Sequence, residues 1–166
     1  MSIIIAARPT AAPLASAERN PDEYNLALTA PTIVALFACG GTVQVEDLVP
    51  DADGFYTTRS GLRFQILAEG EGPKPKWGDR VRLHYSTARS DGTVIDSSFE
   101  RGEPDVMALR DVVRGFREAL ELMPVGSRYR VIVPGKLAYG REGIPGLVGP
   151  NETLTFIIHL HEIVGR

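Results

Sequence analysis

From Gly61 onward the chain alternates between apolar and polar positions with the period of a half-buried strand. Leu62, Phe64 and Ile66 point one way, while Arg63, Gln65 and Leu67 point the other. Gly70-Glu71-Gly72-Pro73-Lys74-Pro75 then concentrates residues that no regular element tolerates, and it predicts a loop. Val81, Leu83 and Tyr85 alternate with Arg80, Arg82 and His84, and the turn signature Ser90-Asp91-Gly92-Thr93 leads into Val94 and Ile95, which predicts a hairpin. Val112, Val113, Phe116, Leu120 and Met123 recur at spacings of three and four, opposite Arg114, Arg117, Glu118 and Glu121. This predicts one amphipathic helix of about ten residues, which Pro124 prevents from extending. Tyr129, Val131 and Val133, and later Leu154, Phe156, Ile158 and Leu160, resume the strand period. The expected fold class is α+β, with four or five antiparallel strands whose open side is filled by the helix.

The N-terminal part follows no such period. Residues 8–21 are rich in Ala, Pro and Ser and read as an extended arm. Between Tyr24 and Val45 there is no charged residue, and Thr32 to Ala38 is densely apolar. A bilayer-crossing helix needs about 20 mostly apolar residues, whereas this run is interrupted by Pro31, Gly40 and Gly41. Three readings of residues 25–45 stand: a membrane anchor, a targeting segment, or an element packed on a partner protein. Leu36-Phe37-Ala38-Cys39-Gly40 resembles a bacterial lipoprotein cleavage site that would lipidate Cys39. The expected organisation is an N-terminal extension over 1–50, an acidic and polar linker over 51–60, and a folded domain over 61–166.

Charge and cysteine content narrow the chemistry. A formal net charge of -3 and a pI near 5.6 give no basic footprint, so no nucleic-acid partner is expected. The single cysteine, Cys39, allows neither an internal disulfide nor a cysteine-based metal site. His159 and His161 share a strand face, but a metal needs three or four ligands and no third is evident, so no metal and no cofactor is expected. Glycines 140, 143, 146 and 149 lack the strand-to-helix setting of a phosphate loop and read as a flap. Ser97 and Ser98 lack the context of an activated nucleophile.

Leu83-His84-Tyr85, Asp91-Gly92, Asp96-Ser97-Ser98 and Leu137-Ala138-Tyr139-Gly140 together resemble the FKBP family of peptidyl-prolyl cis/trans isomerases. The resemblance implies a half-open antiparallel sheet wrapped around one helix, with a pocket for the proline ring of polypeptide clients. By the same resemblance that pocket is lined by Tyr85, Ile95, Val112, Val113, Phe116, Tyr139 and Phe156, under a flap carrying Ile144 and Leu147. Asp96 and Tyr139 supply the catalytic polar edge, and Arg101 pairs with Asp96. Burial as core aromatics would account equally for Tyr85 and Tyr139, and a turn cap would account for Asp96.

The chain departs from the family pattern inside the pocket. Ile95 and Asp105 stand where phenylalanines are usual, Phe116 replaces a floor tryptophan, and Gly149 replaces a common proline. Two functions are therefore expected: a membrane-tethered isomerase, or a catalytically weak accessory subunit of a membrane complex such as a photosynthetic one. Residues 54–62 resemble FKBP-like proteins of the thylakoid lumen, which implies a thylakoid membrane or lumen location in a plastid, with a membrane-anchored bacterial lipoprotein as the alternative.

Overall fold

The computed structural model describes residues 48–165. Residues 1–47 of the N-terminal extension, with the candidate membrane or docking segment at 25–45 and Cys39, lie outside the described residues.

Strands β1 (Tyr56–Thr57), β2 (Arg63–Ala68), β3 (Arg80–Ala88), β4 (Val94–Ser97), β5 (Asp105–Ala108), β6 (Arg128–Val133) and β7 (Leu154–Gly165) form one antiparallel sheet. Its order is β1-β2-β6-β7-β3-β4, with β5 also on β3. The helices are a short turn of helix, α1 (Ser98–Arg101), and the amphipathic α2 (Arg114–Leu122). Burial follows the alternation. Phe64, Val81, Leu83, Tyr85, Val131, Phe156 and Ile158 all face a core that Phe116, Ala119 and Leu120 of α2 complete.

β3 organises the site. One edge pairs along its whole length with β7, while the other is divided, Arg80–Leu83 pairing with β5 and Ser86–Ala88 with β4. The chain between β4 and β5 leaves the sheet as α1. Ser97 caps it by accepting the Glu100 N–H at 3.3 Å, and Gly102 ends it in the left-handed conformation at φ 79°. Within Asp96-Ser97-Ser98, Ser98 fastens this excursion to the sheet. Its buried hydroxyl accepts from Tyr85 N at 2.8 Å and donates to Tyr85 O at 3.2 Å.

The structure differs from the sequence pattern in three places. Residues 51–60 are not a free linker. Tyr56 stacks on Phe64 at 5.2 Å, Asp51 caps a turn and pairs with Arg63, and the hydroxyls of Thr58 and Ser60 donate to Glu118 of α2 at 2.8 and 2.7 Å. Polar residues there signal hydrogen bonds to a distant helix rather than solvation. Secondly, Val112 and Val113 precede α2 in extended conformation, because a spacing of three and four also fits residues that pack beside a helix without belonging to it. Thirdly, the sheet has seven strands among the described residues, since β1 and β5 are too short to display an alternation.

The outer sheet face carries His84, His159 and His161. His159 and His161 rings lie 4.2 Å apart, and His84 meets His161 at 5.4 Å. Partial burial first, then His161, Arg128 and His84, push the His159 pKa below the ordinary value near 6.5. Burial, then His84 and Arg82, lower that of His161. The unfolded chain therefore takes up these protons more readily, so this contribution to stability is present above about pH 6.5 and lost as pH falls below it. Lowering pH from 7 to 5 is expected to reduce Tm more in the native chain than in an H159N/H161N variant. Equal losses in a calorimetric pH series would refute the assignment.

Candidate functional site

The site is built where α1 leaves the sheet. Tyr85 projects inward from β3, and its hydroxyl donates to one oxygen of Asp96 on β4. The other Asp96 oxygen accepts from Nη1 of Arg101, at the end of α1. Nη2 of Arg101 reaches the Tyr85 hydroxyl at 3.5 Å, and its guanidinium carbon stands 5.7 Å from the Tyr85 ring centroid. The carboxylate is thus fixed by a neutral and a cationic donor, with its side chain only 11% exposed. Burial, reinforced by the hydrogen bond to Asp96, raises the Tyr85 pKa, so the phenol remains an O–H donor at neutral pH.

Asp105 is part of the same network. It occupies a position where the resemblance leads one to expect an aromatic wall, and a carboxylate in an apolar hollow would need a partner. Arg101 is that partner, its Nη2 donating to the Asp105 carboxylate. The departure converts an apolar wall into the second half of an Asp-Arg-Asp chain at the rim. In the sequence alone Asp105 stands out only as a misfit among pocket positions. Its position four residues after Arg101 was the available signal.

Behind this polar edge lies an aromatic floor. Phe116 is fully buried on α2 and meets Tyr85 edge-to-face at 6.1 Å and 77°, and Phe156 of β7 at 5.1 Å and 62°. Tyr85, Asp96, Arg101, Phe116 and Phe156 are therefore joined by direct contacts. Val112 is buried in the core cluster, and Ile95, Val113, Tyr139, Ile144 and Leu147 pack against it half-buried. Burial, then the Asp96 charge, push the Tyr139 hydroxyl up to about 12, so it stays a protonated donor at neutral pH.

Ile144 and Leu147 sit in the flap between Tyr139 and Asn151. Its tip, Ile144-Pro145-Gly146-Leu147, closes with Leu147 N donating to Ile144 O at 2.9 Å, and Gly146 has φ 78°. Proline at the second and a positive-φ glycine at the third position make this a type II turn. Reciprocal bonds between Ile144 and Val148, at 2.8 and 2.9 Å, hold its sides together. At the base Gly135 approaches so closely that a Cβ there would lie 2.2 Å from the Asn151 backbone. Among the described residues no group of three or more His, Cys, Asp or Glu side chains is placed to hold a metal ion. The chemistry on offer is that of an apolar floor, a fixed carboxylate and two phenol donors.

Comparison with known proteins agrees with this geometry. Residues 72–161 match the model of the family described as FKBP-type peptidyl-prolyl cis-trans isomerase. The FKBP-type 22 kDa peptidyl-prolyl cis-trans isomerase of Escherichia coli K12 is 46% identical over 112 residues, which cover 68% of this chain and 54% of that protein. The outer membrane protein MIP of Legionella longbeachae is 45% identical over 107 residues, covering 64% of this chain and 46% of that one. The chain thus spans about half the length of these curated relatives. Among solved structures, a peptidyl-prolyl cis-trans isomerase from Pseudomonas syringae pv. tomato superposes with a TM-score of 0.64 at 33% identity, covering 68% of this chain and 82% of that one. With its half-open sheet closed by α2 and its family match across residues 72–161, the chain belongs to the FKBP-type peptidyl-prolyl cis-trans isomerases.

Proposed function

We propose that this protein catalyses cis/trans isomerisation of X-Pro bonds in polypeptide clients, at the pocket edged by Asp96 and Tyr139. The observation that carries the reading is the contact between the Tyr85-Asp96-Arg101 network and the Phe116-Phe156 floor. Rotation about an X-Pro amide must break its partial double bond, over a barrier near 20 kcal/mol, and takes tens of seconds or more uncatalysed. The planar amide is more dipolar than the twisted one. Moving it out of water onto the aromatic floor removes solvation that favours the planar state, and donors fixed at the edge hold the twisted geometry. Tyr85 and the Val112, Val113, Phe116 and Phe156 side chains bind the ring. Ile95, Ile144 and Leu147 wall it in, Tyr139 supplies an O–H donor, and Arg101 orients Asp96.

Attachment to a membrane through residues 25–45 belongs to the same proposal. Its supports are the uncharged apolar run and the outer membrane name of the Legionella longbeachae relative. Of the two expected locations these favour a bacterial anchored protein over the thylakoid, whose only support is the likeness of residues 54–62. An accessory role in a photosynthetic complex has no support in the relatives described above, whose names give isomerases and an outer membrane protein.

The test is a proline-peptide isomerisation assay on the full chain, separated into membrane and soluble fractions. Acceleration sedimenting with the membranes is the expected result. Acceleration confined to the soluble fraction would remove the tether and keep the enzyme, no acceleration in either fraction would overturn the enzyme, and recovery of the chain itself only in the soluble fraction would overturn the tether.

A further inference from the structure

The flap is tied at its C-terminal base to a loop that is distant in sequence. Glu152, one residue beyond Asn151, points its carboxylate back along the flap. Oε2 accepts the Gly149 N–H at 2.6 Å, and Oε1 accepts Nε of Arg89 at 2.9 Å. Arg89 is the first residue after β3, in the tight turn to β4, where Arg89 N donates to Thr93 O at 2.9 Å and Gly92 N donates to Arg89 O at 3.0 Å. The Glu152 side chain is only 11% exposed while that of Arg89 is 38% exposed, so the carboxylate is sheltered and the guanidinium lies partly in solvent.

The contact needs a backbone N–H at position 149. Proline, common at this position in the pattern the chain resembles, has no N–H to donate. A Cβ at Gly149 would stand 3.2 Å from Glu152 Oε2, tighter than most contacts but against the end of a flexible side chain, so a small shift of the carboxylate would accommodate it. Arg89, Gly149 and Glu152 therefore form one connected unit that joins the flap to the β3–β4 turn.

We infer that Glu152 is a positioning residue that latches the flap to the β3–β4 turn, and so holds Ile144 and Leu147 over the proline pocket before a client arrives. The inference rests on the proposed isomerase reading and adds to it the device that sets client affinity. The type II tip and the Ile144–Val148 bonds make the flap stiff within itself, so its freedom lies at its ends. Gly143 N to Tyr139 O at 3.2 Å steadies the N-terminal side, Asn151 N to Gly140 O at 2.6 Å ties the two ends to each other, and the Glu152 latch adds a tie from the flap to the β3–β4 turn. The Gly149 N–H first, and Arg89 second, hold the Glu152 carboxyl below the usual carboxylate range, so the latch stays charged through the neutral range. A pocket closed only part of the time binds its ligand more weakly by the reciprocal of the closed fraction, without altering the chemistry once the ligand is bound.

The experiment uses full-length protein, with E152A removing both bonds, E152Q keeping an acceptor for Gly149 N, and R89M keeping only the aliphatic stem. In E152A, KM for a proline peptide is expected to rise three- to tenfold with kcat within twofold of native. E152Q and R89M should fall between, and the Asn151 amide, which closes the base of the flap on Gly140 O, should exchange at least tenfold faster in E152A. Native KM with native amide exchange in E152A would overturn the latch, as would a fall in kcat at unchanged KM. Should E152A not fold, R89M decides by the same two readings. Amide exchange reads the latch even if the native protein proves inactive, so failure of the isomerase reading and failure of the latch give different results.

Discussion

Replacing Asp96 by alanine is expected to lower kcat/KM on a proline peptide by about ten- to a hundredfold. The substitution strips the Tyr85 hydroxyl and one arm of Arg101 of their shared acceptor, and hydrogen bonds to charged groups contribute about 1.5–3 kcal/mol each. Each 1.4 kcal/mol lost from transition-state binding is about a factor of ten in rate. Asp96→Asn keeps the shape and one acceptor oxygen but removes the charge, and it should retain more activity than the alanine variant. Arg101 in either variant still has Asp105, which limits how far α1 is released. The measurement is kcat/KM by proline-peptide exchange spectroscopy with a thermal melt alongside. Activity of D96A within twofold of native, in a protein that melts normally, would reduce Asp96 to a turn-capping residue.

Phe116→Ala should be the most destabilising single change in the domain. The ring is fully buried, bridges Tyr85 to Phe156, and fastens α2 to the sheet. Large-to-alanine substitutions of buried aromatics cost about 3–5 kcal/mol, through lost transfer energy and the cavity left behind. For a domain of this size that corresponds to a fall in Tm of roughly ten degrees or more. Isomerase activity should fall together with stability, since the same ring is the pocket floor. A melt within about three degrees of native would mean that the neighbours collapse into the space, and that the floor is far more pliable than a close-packed core allows.

Much of the fold was legible because its strands bury one face each. In β3 the inward Val81, Leu83 and Tyr85 alternate with outward arginines and His84, and the period alone identified the element. α2 was legible by the same logic, although its start was not. Val112 and Val113 share the apolar spacing, yet they lie in extended backbone before the first turn. β5 escaped notice because Asp105-Val106-Met107-Ala108 is too short to establish a period, and what makes it a strand is the free edge of β3 beside it. Residues 51–60 read as solvated linker since hydroxyls and carboxylates look alike whether they face water or, as with Thr58 and Ser60, a glutamate on α2.

At the site, the aromatic and aliphatic members followed from motif likeness. The ionic members followed only in part. Arg101 opposite Asp96 was implied by that likeness, but the second carboxylate on Arg101 was not. Arg89 and Glu152 are 63 residues apart, and no local pattern joins them.

By itself the sequence determined which residues turn inward, where the chain must turn, and which family's motifs it carries, because each of those depends on neighbours within a few positions. Only the tertiary structure decided which charges meet: Arg101 between two carboxylates, Glu118 under two hydroxyls, Glu152 across from Arg89. Ion pairs and hydrogen bonds act over about 3 Å, so they depend on how β3, α1 and the flap come together in space rather than on their order in the chain.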